Sequence, residues 1–159
     1  MLVALGDRLG ASPTGGLGPS GQAALIALCE YLSGRTIADL QAVVGLSHSG
    51  CVRLVDRLEG EGLVRREPSS DGRSVALAPT ARGAARAREL QAARLAVLGS
   101  VLDELAPGER QQLGELCGKV LAVLRRSGAS PFAICRFCDG AICGHPDRCP
   151  VTLAGTTGG

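Results

Sequence analysis

The stretch Thr36-Ile-Ala-Asp-Leu-Gln-Ala-Val-Val-Gly45-Leu-Ser47-His-Ser-Gly-Cys-Val-Arg-Leu-Val-Asp-Arg-Leu-Glu59 decides the fold, because it contains two short helices and the turn between them. Thr36 has an acid, Asp39, three residues later, a short-acid form of the capping box that predicts a helix from Ile37 to Val44. Gly45 suits a left-handed C-cap, and Ser47 can cap a second helix that runs to about Glu59. Two helices joined by so short a turn predict a helix-turn-helix unit.

The second of these helices has two chemically different sides. At about 100° per residue, one side carries Cys51, Leu54, Val55 and Leu58. The other side carries Ser49, Arg53, Asp56 and Arg57. We therefore expect the first side to pack on a core and the second to face outward.

The flanking sequence supplies a further helix before this unit and a hairpin after it. A helix is predicted over 19–32, after a loop rich in Gly and Pro. Asp71-Gly72 is a strong turn pattern between two short β-like runs, 63–67 and 73–78. Together these segments predict a small β-hairpin attached to a helical unit.

Two long helices are predicted after the hairpin. Thr80 can cap a helix from Ala81 to about Leu105, and Pro107 starts another. The second helix carries one apolar stripe, made of Leu113, Leu116, Val120, Val123 and Leu124. Helices of this kind in a small chain need a surface to pack against, and self-association supplies one.

Composition narrows the class of protein. The formal charge of +2 is too small to identify a polyanionic partner by itself. The 2% aromatic content leaves aliphatic side chains to build the core, which suits packed helices.

No apolar run approaches the roughly 18 residues of a membrane span. Four of the seven cysteines are clustered rather than spread as in a disulfide framework, so we predict a reducing, cytoplasmic location and no membrane partner.

We predict a mainly α fold with a small β-hairpin and a helix-turn-helix unit that self-associates through its terminal helices. The predicted parts are an N-terminal helix and loop (1–18), the helix-turn-helix unit with its hairpin (19–80), two long helices (81–128), a cysteine-rich metal-binding tail (129–153) and a flexible end (154–159). Outside the tail, Cys29, Cys51 and Cys117 fall on apolar stripes and are predicted to be small core residues.

The tail has the ligand pattern of a metal site. Cys135, Cys138, Cys143 and Cys149 follow the spacing C-x2-C-x4-C-x5-C. Zinc accepts four thiolates in a tetrahedron and is the first expectation. An iron–sulfur cluster is the alternative, since Cys149 is followed by Pro150 as in ferredoxin-type ligation. A metal-free thiol redox switch is a third reading, and His145 could replace Cys143 as a ligand.

Several segments, taken in order, resemble the MarR family of dimeric winged helix-turn-helix transcriptional regulators. They are Thr36-Ile-Ala-Asp-Leu, Leu46-Ser47, Val55-Asp-Arg-Leu-Glu-Gly-Glu-Gly-Leu-Val64-Arg, Asp71-Gly-Arg73-Ser and Leu77-Ala-Pro-Thr80-Ala-Arg-Gly83. The resemblance covers roughly 20–126. It implies a winged helix-turn-helix in which 19–80 form the DNA-binding domain, the hairpin is the wing, and 1–18 and 81–128 contribute to dimerisation. It also implies a homodimer on a pseudo-palindromic double-stranded DNA operator, and it permits a small-molecule effector. The N-terminal dimerisation helix usual in the family looks shortened to 2–9, and the cysteine-rich tail lies outside the family pattern.

The predicted DNA contacts come from the helix-turn-helix and the hairpin tip, namely Thr36, Ser47, His48, Ser49, Arg53, Arg57 and Arg73. A recognition helix places its N-terminal and outward side chains in the major groove. Arg53 is the better candidate for a guanine, whereas Arg57 could instead pair with Glu61 or Asp71. Arg73 resembles the family's wing arginine, which enters the minor groove, and Asp71 looks like its structural partner.

No catalytic set is recognisable, so the chain is predicted not to be an enzyme. The two histidines, one in the recognition helix and one in the tail, leave no room for a conventional triad. Gly15-Gly-Leu-Gly18 follows no strand and precedes no Gly-Lys-Ser/Thr, so it is not a phosphate-binding loop. The alternative function is a winged-helix module for protein interaction or metal trafficking, without DNA binding.

Overall fold

The computed structural model describes residues 6, 9, 16–69 and 74–156. The elements in order are α1 (Pro19–Glu30), α2 (Ile37–Val44), α3 (His48–Gly60), β1 (Val64–Pro68), β2 (Val75–Pro79), α4 (Ala81–Leu102), α5 (Pro107–Arg126), α6 (Pro131–Cys135) and α7 (Pro150–Thr156). This mainly helical architecture with an antiparallel hairpin confirms the predicted winged helix-turn-helix fold, whereas dimerisation through the terminal helices stays a prediction. Most of the predicted N-terminal helix, and the hairpin tip 70–73, lie outside the described residues.

The helix-turn-helix unit has the predicted caps. The Thr36 hydroxyl accepts from the Asp39 amide, and the Asp39 carboxylate accepts from the Thr36 amide, so both halves of the capping box are present. Gly45 ends α2 in the left-handed region, at φ 67°, where a residue without Cβ is unstrained. The Ser47 side chain then accepts from the Gly50 amide and starts α3.

Helix α1 lies at the centre of the core. Its residues 21–28 are all buried, and it packs against α2, α4 and β2. The largest buried side chains around it are aliphatic, among them Leu25, Ile26, Leu28, Leu40, Leu58, Leu77 and Leu90. Burial of such side chains contributes roughly 1.5–3 kcal/mol each. The predicted end of α1 at residue 32 is two residues too late, because Tyr31 leaves the helical conformation at φ −152°.

The hairpin is joined to the helical core by a third extended segment. Strands β1 and β2 pair antiparallel, with Val64 opposite Pro79 and Pro68 opposite Val75. Arg35 forms a β-bridge with Leu77, whose amide donates to the Arg35 carbonyl at 2.8 Å. The segment between α1 and α2 is thereby fixed to the wing.

Helix α4 begins in close contact with the hairpin. Thr80 caps it as predicted, accepting from the Gly83 amide at 3.0 Å and donating to the Gly62 carbonyl at 2.7 Å. A Cβ at Gly83 would overlap the carbonyl oxygen of Leu63, so glycine is required for this approach. The helix ends at Leu102, three residues before its predicted end.

Helix α5 packs mainly against α7, outside the central core. None of its residues is buried, and its predicted apolar stripe is exposed, from 41% at Leu113 to 59% at Val120. The prediction that Cys117 is a core residue is therefore wrong, because its helix reaches no core within the subunit. Cys51 is buried as predicted, and Cys29 is half-buried.

The C-terminal segment contains two short helices that pack on the rest of the chain. Helix α6 packs on α2, and α7 packs on α5. Helix α7 continues through Thr156, past the predicted start of a flexible end at 154, and Ala154 is buried. None of the helices in the described ranges is both long and apolar enough to cross a lipid bilayer.

Candidate nucleic-acid interface and thiol cavity

The start and the outward side of α3 are accessible. Ser47, His48 and Ser49 are exposed, and Arg53 is exposed one turn further along the helix. The opposite side is buried at Cys51, Val55 and Leu58, as predicted from the helical period. Leu54 is only half-buried. The helix therefore exposes a polar side and its N-terminal turn to solvent. Major-groove recognition needs this geometry.

Two of the predicted DNA-contacting hydroxyls also have local structural roles. The Thr36 hydroxyl donates to the Asp39 carboxylate at 2.8 Å. The Ser47 hydroxyl accepts from the Gly50 amide at 3.2 Å and lies 3.3 Å from the Ser49 hydroxyl. Both side chains therefore position the helices on which the remaining candidates lie.

Arg57 is exposed, but its guanidinium is held by contacts within the subunit. Its Nε donates to the Glu61 carboxylate at 3.0 Å, and an Nη donates to the Gly16 carbonyl at 2.6 Å. The sequence predicted Glu61 or Asp71 as a partner of Arg57, and the bond to Glu61 is present. Asp71 lies outside the described residues. Arg57 thus fastens the loop before α1 to the end of the recognition helix.

Arg66 links the wing to the recognition helix, a role that the sequence analysis missed. From β1, its guanidinium pairs with Asp56 at 2.6 Å and with Glu59. These two carboxylates lie on α3, and they raise the pKa of Arg66 above its usual value, Asp56 contributing most. The predicted wing residue Arg73 lies outside the described residues.

The four tail cysteines line one cavity. Cys135, Cys138, Cys143 and Cys149 contribute to the wall of a space of about 470 Å³. Other parts of the wall come from the end of α1 and from the last helices, through Glu30, Tyr31, Arg125, Phe132, His145 and Thr152. Among the described residues, no three His, Cys, Asp or Glu side chains are placed to hold one metal ion between them. The thiols therefore surround a space rather than meet at a point.

Two of these thiols interact directly. A hydrogen bond between the side chains of Cys135 and Cys138 lowers the pKa of Cys138 to about 7 and raises that of Cys135. Near neutral pH, a thiolate on Cys138 can accept the proton of its neighbour. A cysteine in this state is a good metal ligand, since the thiolate is the ligating form.

Cys149 and His145 are both in contact with the start of α7. Burial acts to raise the pKa of Cys149, but hydrogen bonds from Thr152 and from the Val151 amide outweigh it and lower the pKa. The Nδ1 atom of His145 lies 2.8 Å from the Thr152 hydroxyl. His145 thus lines the cavity with its Nδ1 atom already hydrogen-bonded to Thr152.

The cysteine loop is hydrogen-bonded to the helical core through Glu30 and Gln91. The Glu30 carboxylate, at the end of α1, accepts from the Gly140 amide at 2.9 Å and from the Gln91 side chain at 3.2 Å. The same Gln91 nitrogen donates to the Cys138 carbonyl at 3.2 Å. Gln91, on α4, is buried, so these bonds connect the loop with two helices of the domain.

Aromatic contacts reinforce this attachment. The Arg94 guanidinium of α4 lies 3.8 Å from the centre of the Phe137 ring, a cation–π geometry. Tyr31 stacks on Phe132 with ring centres 5.9 Å apart. No pattern in the sequence relates Glu30, Gln91 or Arg94 to a loop more than 40 residues away, so their contacts with it could not be predicted.

A sequence model described as the MarR family matches residues 16–74. This range includes α1, the helix-turn-helix and β1. No curated protein matches the sequence. The matched region is the part in which the predicted resemblance placed its helix-turn-helix motifs.

Solved structures share the fold over three quarters of the chain. A MarR family protein from Bacillus stearothermophilus is 25% identical with a TM-score of 0.68, covering 75% of this chain and 84% of its own. A MarR family transcriptional regulator from Rhodococcus sp. RHA1 is 26% identical, with a TM-score of 0.58 and coverages of 75% and 89%. CouR from Rhodococcus jostii RHA1, bound to p-coumaroyl-CoA, is 25% identical, with a TM-score of 0.58 and coverages of 75% and 87%. The fold is that of MarR-type regulators rather than of an enzyme.

Proposed function

We propose that the protein is a cytoplasmic, sequence-specific regulator of transcription that binds double-stranded DNA as a homodimer. The observation that carries the proposal is the exposed polar side of α3, which stands beside a hairpin within a MarR-type winged helix. We assign Arg53, which is exposed on this side, to a base edge. Ser47, His48 and Ser49 lie at the helix start, where backbone amides favour a phosphate. Arg73, at the hairpin tip, is the proposed minor-groove contact.

The homodimer is supported by the apolar stripe of α5. Five exposed aliphatic side chains on one face of a helix form a surface that water does not favour, and a second copy would cover it. A pseudo-palindromic operator would then match the two-fold symmetry of the protein.

We also propose that the C-terminal cysteines hold a metal and that its occupancy adjusts DNA binding. The support is the attachment of the cysteine loop to α1 and α4 through Glu30 and Gln91. Helix α6, which carries Cys135, also packs on α2 of the helix-turn-helix. Zinc and an iron–sulfur cluster are both compatible with four cysteine thiolates.

A small-molecule effector is a further proposal, suggested by the bound p-coumaroyl-CoA of CouR. A cavity of about 270 Å³ lies between α1, α2 and the C-terminal segment, with Ala23, Val43 and Phe137 in its wall. A compound bound there would touch both the helix-turn-helix and the cysteine loop.

The test of DNA binding is selection of a preferred duplex from a random library, followed by affinity measurements at several salt concentrations. A regulator should enrich a pseudo-palindromic sequence and lose affinity steeply with salt, because counterions released from phosphates drive binding. Failure to enrich any sequence, with only salt-insensitive binding to protein partners, would instead support a winged-helix interaction or metal-trafficking module.

A further inference from the structure

We infer that the four C-terminal cysteines hold an iron–sulfur cluster rather than a single zinc ion. The inference deepens the metal centre proposed above and rests on it, but it does not depend on DNA binding. It is carried by the arrangement of the thiols around the cavity, by the chemistry of the cavity wall and by the sequence at the last cysteine.

The arrangement of the sulfurs distinguishes the two cofactors. A zinc ion with four thiolates holds every sulfur about 2.3 Å from one point. Here the four cysteines line a space of about 470 Å³, and the described side chains do not converge in threes on a single centre. A cluster distributes its cysteine ligands over several iron atoms, so it can fill a space between sulfurs that do not meet.

The four cysteines also form two pairs along the loop, both of which border the cavity. Cys135 ends α6, and the Cys138 amide donates to the Cys135 carbonyl at 2.8 Å in the turn that follows, so these two cysteines form one close pair of ligands. Cys143 and Cys149 come from the second half of the loop and share the same cavity. Pro150 directly follows Cys149, as a proline follows the last cysteine of bacterial ferredoxin runs.

The wall of the cavity suits an anionic group that must be shielded from water. A cluster with four thiolates carries net negative charge, and the Arg125 side chain of α5 supplies a positive group in the wall. The Glu30 carboxylate also lines the wall, but its oxygens already accept from the Gln91 side chain and the Gly140 amide. Tyr31, Phe132 and Val151 give the wall an apolar part. An apolar shell limits solvent access to a metal centre and tunes its properties.

The experiment uses the full chain purified without oxygen. Iron, acid-labile sulfide and zinc are measured per chain, together with the visible absorption spectrum, before and after anaerobic incubation with ferric iron, a thiol reductant and sulfide. We expect a coloured protein that contains iron and sulfide in comparable amounts and little zinc. One zinc per chain in a colourless protein would overturn the cluster but leave the proposed metal centre standing, whereas no bound metal after incubation would overturn both.

Cys143→Ala and Cys149→Ala are the test variants, and Cys117→Ala is the matched control, because Cys117 is exposed on α5 and lies outside the cavity wall. The two test variants should lose most of the iron, sulfide and colour, while the control should keep them. Far-ultraviolet circular dichroism checks that each variant retains its helices; if one unfolds, the other and the direct metal analysis still decide. Full iron and sulfide in both test variants would overturn the assignment.

Discussion

The arginines around the recognition helix differ in what holds them. Arg57 and Arg66 are fixed by carboxylates and by a carbonyl within the subunit. Arg53 is exposed, and no hydrogen bond or ion pair joins it to another described residue. An arginine that no carboxylate already holds keeps its donors for a partner, so Arg53 and not Arg57 is the residue that we expect to read DNA.

Arg53→Ala should weaken binding to the selected duplex by about 1–3 kcal/mol, the usual contribution of a bidentate base contact. Thermal stability should change little, because the side chain is exposed. Fluorescence anisotropy with the selected duplex measures the effect, and Arg126→Ala, an exposed arginine on α5, is the control. Equal affinity of wild type and Arg53→Ala would exclude the proposed base contact.

The lowered pKa of Asp39 predicts how the stability of the protein depends on pH. Hydrogen bonds from the backbone and then the side chain of Thr36 lower the pKa of Asp39 below its ordinary value. Since the folded pKa is depressed, this contribution to stability is complete above the unfolded value of about 3.9 and is lost as the pH falls below it. Asp39→Asn should therefore be less stable than wild type at neutral pH, by a difference that shrinks in acid.

Urea unfolding of both proteins at neutral pH and at about pH 3, below the ordinary pKa of Asp, measures this difference. Glu104→Gln, which removes an exposed carboxylate outside any cap, is the control and should show a smaller effect. A penalty for Asp39→Asn that stayed constant from neutral to acid pH would contradict the assignment.

At the scale of elements, the junction between the wing and α4 is a close backbone contact. The start of α4 lies against the backbone at Leu63, and Thr80 bonds to the carbonyls of Gly62 and Leu63. Any shift of α4 would consequently be passed to β1 and the hairpin. This junction is where movement of the long helices would reach the proposed DNA-binding surface.

Gly83→Ala should destabilise the protein by about 1–3 kcal/mol or more, as overpacking in a tight contact does. The added methyl would overlap the Leu63 carbonyl, whose backbone cannot easily move away. Gly99→Ala in the same helix is the matched control, since a Cβ there meets no atom within 4 Å. It should be neutral or stabilising by about 0.5–1 kcal/mol. Thermal unfolding compares them, and equal melting temperatures would contradict the close approach.

At the scale of the whole molecule, α5 carries more apolar surface than the subunit covers. Its exposed stripe, defined by Leu113, Leu116, Val120, Val123 and Leu124, is accompanied by α7 but by no core helix. The cysteine loop lies between this helix and the helix-turn-helix. The proposed dimer interface, metal site and DNA-binding surface would therefore lie on elements that contact one another.

Leu116→Glu combined with Val120→Glu should convert a dimer into a monomer, because two carboxylates would have to be buried in an apolar contact. Light scattering after gel filtration measures the mass, and affinity for the palindromic duplex should fall with it. Gln111→Lys, on the opposite side of α5, should leave both unchanged. A dimer that survives the double substitution would show that α5 does not form the interface.

Local sequence rules determined the helix-turn-helix. Capping at Thr36, Ser47 and Thr80, the left-handed Gly45 and the period of α3 are all short-range effects, so the chain specified them within a few residues. The hairpin was predicted for the same reason, although its strands are displaced by one or two residues. Helix ends at 30 and 102 were predicted less well, because tertiary packing decides where a helix frays.

The sequence by itself determined a winged helix with a cysteine-rich tail, since capping, periodicity and ligand spacing are properties of neighbouring residues. Only the tertiary structure decided that Arg66 ties the wing to α3, that Cys117 reaches no core, and that Glu30 and Gln91 fasten the cysteine loop to the domain. These facts depend on contacts between distant parts of the chain, and no local pattern encodes which distant side chains the packing will bring together.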